Sequence, residues 1–446
     1  MTCAFQSARA SKLDLRPGLQ RMEQERNCRC RSNRCALQGV YAKRMAEAGL
    51  ARHTKERLPR LLAQNAHLSR CPAHEVLPLT PMEWSTSMES YRYLVLTEGA
   101  FGPLTSKTAN SAIRYLEERI VGVLDSTKVG RTVQDVLGFG GAIPVVGTLQ
   151  DGLALKPTAL LIGIAPSGGM LPDSWRPVLR GAVEAGLPIV SGLHFYLADD
   201  PELSAFAAKH GVEIHDLRKP PDDLPISTGR ARLVDALVVH TVGTDCNIGK
   251  MTAALEIRRA LNERGANAGF APTGQTGILI EGWGIAVDSV ISDFINGAAE
   301  RLVLQAAENH DIVLVEGQGS LVHPAYSGVT LGLLHGSMPD VMVICHQPSR
   351  QCAYGGNGAF SWMSLPSLPD MIEICENAIR PLRPAKVIGI ALNTSDLSDE
   401  DARAAVEQAQ RETGLPATDP VRYPADPLVE VILAAAAMKK AAGSVG

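Results

Sequence analysis

The sequence predicts an α/β protein with two open, mainly parallel sheets, a Rossmann-like domain followed by a P-loop NTPase-like domain. Short runs rich in β-branched residues alternate with helical stretches along most of the 446 residues. Near-continuous apolar runs of this kind are typical of parallel strands that are buried on both faces. A proline-rich linker divides this alternation into two parts. The second part contains a glycine-rich turn with a lysine.

The first part contains six predicted strands, at 91–98, 120–126, 143–149, 159–166, 187–194 and 212–218. Helices are expected at 107–118, near 175–185 and between the last two strands. Polar turns follow four of the strands, at 97–99, 125–127, 166–169 and 191–194. Each turn alone fits a helix cap equally well. Because ligands gather at the carboxyl ends of parallel strands, the turns together predict a crevice.

The linker lies at 219–226, where adjacent prolines interrupt regular structure. Beyond it, strands are predicted at 235–243, 266–272, 311–317, 339–347 and 385–394, each followed by a helix, with one more short helix near residue 330. The predicted organisation is a basic extension at 1–88, a Rossmann-like domain at 89–232 and a P-loop-like domain at 233–446.

Composition and charge narrow the class of protein. Residues 1–88 carry 15 Lys and Arg against 7 Asp and Glu, whereas the remainder carries 28 against 40. The acidic body argues against nucleic-acid binding. No apolar run reaches the roughly 18 residues of a membrane span. Nine cysteines without paired spacing favour a reducing cytoplasm over a secreted disulfide framework.

The basic leader is expected to be a disordered or non-native extension. It lacks sustained apolar periodicity and the hydrophobic region of a signal peptide, while an organelle transit sequence stays open. Five of its residues could be read as metal ligands: Cys28, Cys30, Cys35, Cys71 and His74. Their spacing is unusual for zinc, so no metal site is expected.

The turn at 243–250 is the strongest functional signal. A buried strand ends at Gly243, a loop runs to Gly249, and Lys250 opens a helix. Backbone amides and the positive end of a helix bind phosphate oxygens, and a lysine adds a point charge. The candidate ligand-binding residues are Gly243, Thr244, Asp245, Asn247, Gly249, Lys250 and Thr252.

This turn resembles a P-loop and departs from it in two places. Five residues rather than four separate the glycines, and Met251 stands where Ser or Thr would bind magnesium. Thr252 could supply that hydroxyl, but one position along a helix turns a side chain by about 100°. Phosphate binding survives these departures better than metal-assisted ATP hydrolysis does. A capped turn without a ligand is the alternative.

Two candidate catalytic bases follow the strand at 311–317. Glu316 ends this strand, where an NTPase would hold magnesium, and it could equally take a proton from an amine. His323 is the second candidate, because an imidazole titrates near pH 6.5. A structural histidine before Pro324 is equally compatible.

Three further residues are candidates for a role at the same edge of the sheet. Asp293 is flanked by apolar residues and is expected to be more buried than Asp288, although acidic residues at a helix start are an alternative. Asn393 lies at the end of the strand predicted at 385–394, where its amide could both donate to and accept from an adenine edge. An ordinary turn is the other interpretation of Asn393.

Several segments together resemble one bacterial family: LTEGAFG, IVGVLDS, GTDCNIGKMT, PTGQTG, DSVISDFINGAAE and LVEGQGSLVHPAYSGVTLGLLHGSMPD. The family was long a domain of unknown function, with a Rossmann-like first half and a P-loop second half. Its characterised branch is D-glutamate N-acetyltransferase. The likeness covers about residues 89–440.

The resemblance implies acetyl transfer from acetyl-CoA to the amine of D-glutamate, with a pathway link to an N-acetyl-amino-acid racemase or epimerase. Coenzyme A carries three phosphates, so the turn would hold the acetyl donor without hydrolysing a nucleotide. Glu316 or His323 would be the base, amides at 317–320 would stabilise the oxyanion, and Asn393 would contact adenine. Arg301 or Arg350 would pair with substrate carboxylates. The protein is expected to form a homo-oligomer and to bind neither nucleic acid nor a membrane.

Two other functions stay open. An ATP-dependent ligase or kinase of the dethiobiotin-synthetase type would use Lys250 and Glu316 with ATP and magnesium, and would release ADP. A nucleotide-responsive sensor or binding module would instead bind nucleotide tightly without turnover.

Overall fold

The computed structural model describes residues 86–164, 166 and 169–443. The five candidate metal ligands of the leader lie outside these residues: Cys28, Cys30, Cys35, Cys71 and His74. A short 3₁₀ helix, Thr86–Ser90, opens the described part, and Met88 within it is buried in the core. The expected end of the leader, at residue 88, therefore falls inside a packed segment.

The first half forms a parallel sheet with the strand order β3-β2-β1-β4-β5-β6. Its strands are β1 Tyr93–Leu96, β2 Ile120–Leu124, β3 Val145–Val146, β4 Ala159–Ile162, β5 Ile189–Ser191 and β6 Ile214–Asp216. Its helices are α1 Lys107–Tyr115, α2 Val133–Leu137, α3 Leu149–Ala154, α4 Arg176–Glu184 and α5 Pro201–His210. This doubly wound order confirms the predicted Rossmann-like sheet.

The second half forms another parallel sheet, with the order β12-β11-β10-β7-β9-β8. Its strands are β7 Leu237–Gly243, β8 Ala268–Ala271, β9 Ile312–Val315, β10 Val341–His346, β11 Lys386–Leu392 and β12 Ala417–Thr418. Its helices are α6 Lys250–Glu263, α7 Gln275–Glu281, α8 Ile295–Ala307, α9 Ser327–Ser337, α10 Leu368–Ile379, α11 Asp399–Thr413 and α12 Asp426–Gly443. The predicted P-loop architecture is confirmed, and β12 is the short strand that its sequence did not reveal.

The two halves share part of their apolar core. Ile278 and Leu279 of α7, with Ala286 after it, are buried among residues of the first half that include Met88 and Tyr93. Every residue of β7 is buried, as expected for the middle of a sheet that is covered on both faces. Among the described residues, no helix is long and apolar enough to cross a membrane.

The predicted linker packs against the second half. Residues 219–229 contain no helix or strand, and the buried carboxylate of Glu300 on α8 anchors their end. Its oxygens accept hydrogen bonds from the backbone amides of Thr228 at 3.1 Å and Arg230 at 2.7 Å. Gly297, one turn earlier on α8, lies directly under the carbonyl of Pro225. The absence of a side chain at Gly297 is what lets the chain run so close to the helix.

We expect Gly297→Ala to lower the free energy of unfolding by about 2 kcal/mol or more, because overpacking a close contact forces the backbone to shift. A Cβ atom there would lie 1.6 Å from the Pro225 carbonyl oxygen. Gly328→Ala in α9 is the matched control, since its Cβ would meet no atom within 4 Å. That change should be neutral or stabilising by up to about 1 kcal/mol. Equal urea midpoints for the two variants would contradict this packing.

Candidate functional site

The candidate site lies at the carboxyl edge of the second sheet. The central strand β7 ends at Gly243, and a loop leads to Lys250, the first residue of α6. Residues 243–250 are called the phosphate loop below. Two of its residues have left-handed backbones, Asn247 with φ 54° and Gly249 with φ 96°. The second value is strongly favourable only for glycine, which explains its place immediately before the helix.

Lys250 lies folded against the phosphate loop. Its Nζ donates a hydrogen bond to the backbone carbonyl of Asp245 at 2.7 Å, and burial lowers the pKa of its amine to about 8. A Cβ at Gly243 would lie 3.1 Å from this Nζ, and one at Gly317 would lie 3.0 Å from its Cδ. Glycine at both strand ends therefore makes room for the lysine. An anion in the loop would favour its charged form.

Asp245 faces the protein rather than the mouth of the loop. Its fully buried carboxylate accepts hydrogen bonds from the Arg350 guanidinium at 2.9 Å and from the backbone amides of Tyr354 at 2.8 Å and Cys246 at 2.7 Å. These contacts tie the phosphate loop to the segment after β10. Asp245 and Arg350 thus set the shape of the loop, and Arg350 already has a carboxylate partner.

The two predicted threonines lie among protein groups. Thr244 Oγ1 lies 3.0 Å from Nδ1 of His346 at the end of β10. Thr252 lies near Tyr115 of α1, in the first half, whose hydroxyl donates to Glu256 at 3.0 Å. Asn393 lies closer to the loop, with its Nδ2 at 3.7 Å from the position of a Cβ at Gly249. Its amide is therefore beside the place where a phosphate-containing ligand would enter.

Glu316 is a buried carboxyl immediately after β9. One of its oxygens accepts hydrogen bonds from the backbone amides of Thr273 at 2.8 Å and Gly274 at 3.1 Å. Burial nevertheless raises the pKa of Glu316 to about 7, against the lowering effect of these two bonds. A carboxyl with this pKa is present in both protonation states near neutral pH, as a general base requires.

His323 is held by hydrogen bonds on both ring nitrogens. Nε2 lies 2.8 Å from the carbonyl oxygen of Tyr354, and Nδ1 accepts from the backbone amide of Ala325 at 3.1 Å. The ring stacks on Tyr326, and its side chain has no exposed surface. With the proton on Nε2 and the Nδ1 lone pair engaged, the ring braces the loops. Glu316 is the candidate base that this geometry favours.

Three residues of this region could be read as a metal site. Ligand atoms of Asp245, Cys246 and His323 lie within 4.8 Å of one another. Protein donors already occupy both oxygens of Asp245, and Nε2 of His323 faces a carbonyl. Burial, followed by the neighbouring Asp245, raises the pKa of the Cys246 thiol to about 11. A neutral thiol is a poor metal ligand and a poor nucleophile, so this donor set does not fit a metal.

Side chains of the first half also lie at the site, and no sequence motif marks them. Lys107 begins α1, and Arg218 follows β6. Arg218 is buried and donates to Gln275 Oε1 at 3.0 Å and to Asp288 Oδ2 at 2.8 Å. A Cβ at Gly192, in one of the predicted turns, would lie 2.9 Å from the Gln275 side chain. The expected crevice of the first half therefore faces the second half.

One expectation about a charged residue is wrong, and a second residue has a protein partner. Asp293 is exposed in a short 3₁₀ helix rather than buried, and Asp288, which is also exposed, pairs with the buried Arg218. Arg301 is buried on α8 and pairs with Asp223 of the proline-rich linker at 2.8 Å. It is thus a partner of the linker rather than a ligand-binding group beside the phosphate loop.

The fold and the site define a two-domain α/β protein with a P-loop-like turn at the centre of its second sheet. Residues 126–220 match the family described as "Domain of unknown function (DUF1611_N) Rossmann-like domain", and residues 225–429 match "Domain of unknown function (DUF1611_C) P-loop domain". The chain belongs to the DUF1611 family.

Relatives and a solved structure agree with this assignment. A "D-glutamate N-acetyltransferase" of Pseudoalteromonas sp is 39% identical over 76% of this chain and 97% of its own. A protein of the same name from Tritonibacter scottomollicae is 40% identical over 64% and 84%. The crystal structure of a DUF1611 family protein from Anabaena variabilis matches with a TM-score of 0.73, at 38% identity over 77% of this chain and 99% of that one. The two named relatives support an acyltransferase.

Proposed function

We propose that the protein transfers the acetyl group of acetyl-CoA to the amine of D-glutamate. The observation that carries the proposal is the buried Glu316, whose pKa is raised to about 7 by burial, at the strand end beside the phosphate loop. Amine acetylation needs a base of this strength, because the amino group of an amino acid is an ammonium at neutral pH. The names of the two relatives supply the acetyl group and the acceptor.

In the proposed reaction, Glu316 takes one proton from the ammonium group. The amine nitrogen then forms a bond to the thioester carbonyl carbon, and the carbon–sulfur bond breaks. The sulfur leaves as a thiol after gaining the second proton that the nitrogen loses. Backbone amides at 318–320 follow the same strand as Glu316 and would donate to the oxyanion of the tetrahedral intermediate, whereas the amide of Gly317 already donates to Thr241 Oγ1 at 3.0 Å.

The residues of the phosphate loop fit the phosphates of coenzyme A. The loop precedes a helix of 14 residues, whose amino end is electropositive, and Lys250 is its first residue. Asp245, the acidic residue of the loop, is neutralised by Arg350 and faces away. Gly243, Asn247 and Gly249 would bring backbone close to the phosphates, and Asn393 lies where it would contact the adjoining nucleoside.

An ATP-dependent ligase or kinase is the second candidate, and the loop supports it less. Magnesium would need a hydroxyl at position 251, which is Met251. Thr252 lies one position further along α6, which turns its side chain by about 100° from the place of that hydroxyl. One carboxylate oxygen of Glu316, which would have to bind the magnesium, already accepts hydrogen bonds from the backbone amides of Thr273 and Gly274.

A paired assay on one preparation separates the two functions. D-glutamate is supplied with acetyl-CoA in one reaction, in which free thiol is measured, and with Mg-ATP in the other, in which ADP is measured. Thiol release without ADP is expected. ADP release without thiol would contradict the proposed function and assign the loop to ATP.

We expect Lys250→Met to raise the KM for acetyl-CoA by about 10- to 100-fold, the effect of losing a charge-assisted hydrogen bond to phosphate. The melting temperature should change little, because the substitution also removes a buried ammonium whose pKa burial has lowered to about 8. Lys209→Met, at an exposed position in the last turn of α5, is the control. An unchanged KM for acetyl-CoA in Lys250→Met would remove the loop from the binding site.

A further inference from the structure

Lys107 is a cation without a protein partner. It is exposed at the first position of α1, and it makes no hydrogen bond or ion pair among the residues that the structure describes. A positive charge in the first turn of a helix opposes the helix macrodipole and costs a few tenths of a kcal/mol or more. Local structure therefore gives no reason for a lysine here, and such positions are commonly functional.

The lysine lies in a cleft that both halves line. The next residue, Thr108, places its hydroxyl 3.5 Å from that of Thr276 on α7. Desolvation lowers the pKa of Lys107, and its electrostatic neighbours are Cys246, Glu316 and Arg350, all from the second half. Gly277, the residue after Thr276, lies against Glu316, since a Cβ there would lie 2.7 Å from Glu316 Oε2. Lys107 therefore faces the phosphate loop and Glu316 across the cleft.

Lys107 is accessible to a ligand, unlike Arg218, the other cation of the first half that lies against the second half. Arg218 is buried, and its two terminal nitrogens are engaged by Gln275 and Asp288. It fixes the relative position of the two halves, whereas the amine of Lys107 can be reached by a ligand. Arg350, on the other wall, is paired with Asp245.

We propose that Lys107 binds a carboxylate of the acceptor amino acid, an inference that rests on the proposed function. The acceptor amine must reach Glu316, and its α-carboxylate is two bonds away from that amine. A cation within electrostatic reach of Glu316 is therefore placed for the acceptor. The phosphates of coenzyme A already have Lys250 and the helix end on the opposite wall.

The test is a comparison of Lys107→Gln, Lys107→Arg and Lys209→Gln in the full chain. For Lys107→Gln, the KM for D-glutamate should rise about 10- to 100-fold, as for the loss of one charge-assisted hydrogen bond, with the KM for acetyl-CoA unchanged within about twofold. Lys107→Arg should recover part of the loss. Lys209→Gln, an exposed lysine at the far end of α5, should match the wild type.

D-glutamine as a second acceptor shows which carboxylate is bound. If Lys107 binds the side-chain carboxylate, the preference for D-glutamate over D-glutamine falls in Lys107→Gln, and if it binds the α-carboxylate, the preference is kept. Either result supports the inference. A rise in the KM for acetyl-CoA alone would overturn it and assign Lys107 to a phosphate.

Calorimetric titration of D-glutamate into the protein without acetyl-CoA separates this inference from the proposed function. Binding that is weakened in Lys107→Gln, in a wild type that releases no thiol, would support the inference and contradict the acetyl transfer. Thiol release with an unchanged KM for D-glutamate in the variant would do the reverse. Neither binding nor turnover of D-glutamate by the wild type would overturn both.

Discussion

Glu316→Gln is expected to lower kcat for acetyl transfer by about 10²- to 10⁴-fold, the usual contribution of a general base. Glutamine keeps an oxygen that can accept the backbone hydrogen bonds of Thr273 and Gly274, so the fold should persist. In the wild type, kcat/KM should rise with pH through about 7, because Glu316 acts as a base only when ionised. A variant with more than a tenth of wild-type kcat would exclude Glu316 as the base.

The same substitution should stabilise the protein at pH 8. The folded-state pKa of Glu316, about 7, lies above its ordinary value of 4.5, so the folded state holds the proton more tightly than the unfolded state. Stability from this group is present below pH 4.5 and is lost as the pH rises through 7. Glu316→Gln should therefore raise Tm at pH 8 and not at pH 4.5. Glu184→Gln, at an exposed position of α4, should change neither activity nor Tm.

Asp245→Ala should lower the free energy of unfolding by about 3 kcal/mol, because removing one member of a buried ion pair leaves the other uncompensated. The amides of Tyr354 and Cys246 lose their acceptor as well. Since these contacts shape the phosphate loop, the KM for acetyl-CoA should rise in parallel, although Asp245 faces away from the ligand. Urea denaturation and initial-rate kinetics measure the two effects.

Asp293→Ala is the matched control for this substitution. Its carboxylate is exposed and makes no hydrogen bond or ion pair among the described residues, so both measurements should equal those of the wild type. A stable Asp245→Ala protein with a raised KM would instead mean that Asp245 contacts the ligand or its counter-ion directly.

The sheets were predictable because their strands are buried on both faces. A continuous run such as β7 is apolar at nearly every position, and each run ends in a recognisable turn. The strand β12 was missed because its two residues, Ala417 and Thr418, do not form a β-branched apolar run, whereas the equally short β3, Val145–Val146, lies within one. The linker was predictable from its prolines. Its hydrogen bonds to Glu300 were not predictable, because they depend on a contact with a helix about 70 residues away.

The site was predictable only on the wall that the phosphate loop forms. Lys250 and Glu316 were predictable because each follows a buried parallel strand, and parallel strands end at the same edge of the sheet. The strands β7 and β9 pair with each other although β8 lies between them in the sequence. Lys107 and Arg218 reach the same place from the other half, and no motif marks them. The error at Asp293 has a similar cause, since flanking apolar residues do not reveal whether a short helix faces the core or the solvent.

The apolar packing of α7 against the first half has a consequence for motion. To swing the halves apart, Ile278, Leu279 and Met88 would have to enter water, at about 1.5 to 3 kcal/mol for each fully buried side chain. A hinge-opened state would then be populated well below one molecule in a thousand. Ligands therefore have to enter and leave through loop and side-chain movement. The site between the two halves is preformed and does not depend on hinge closure.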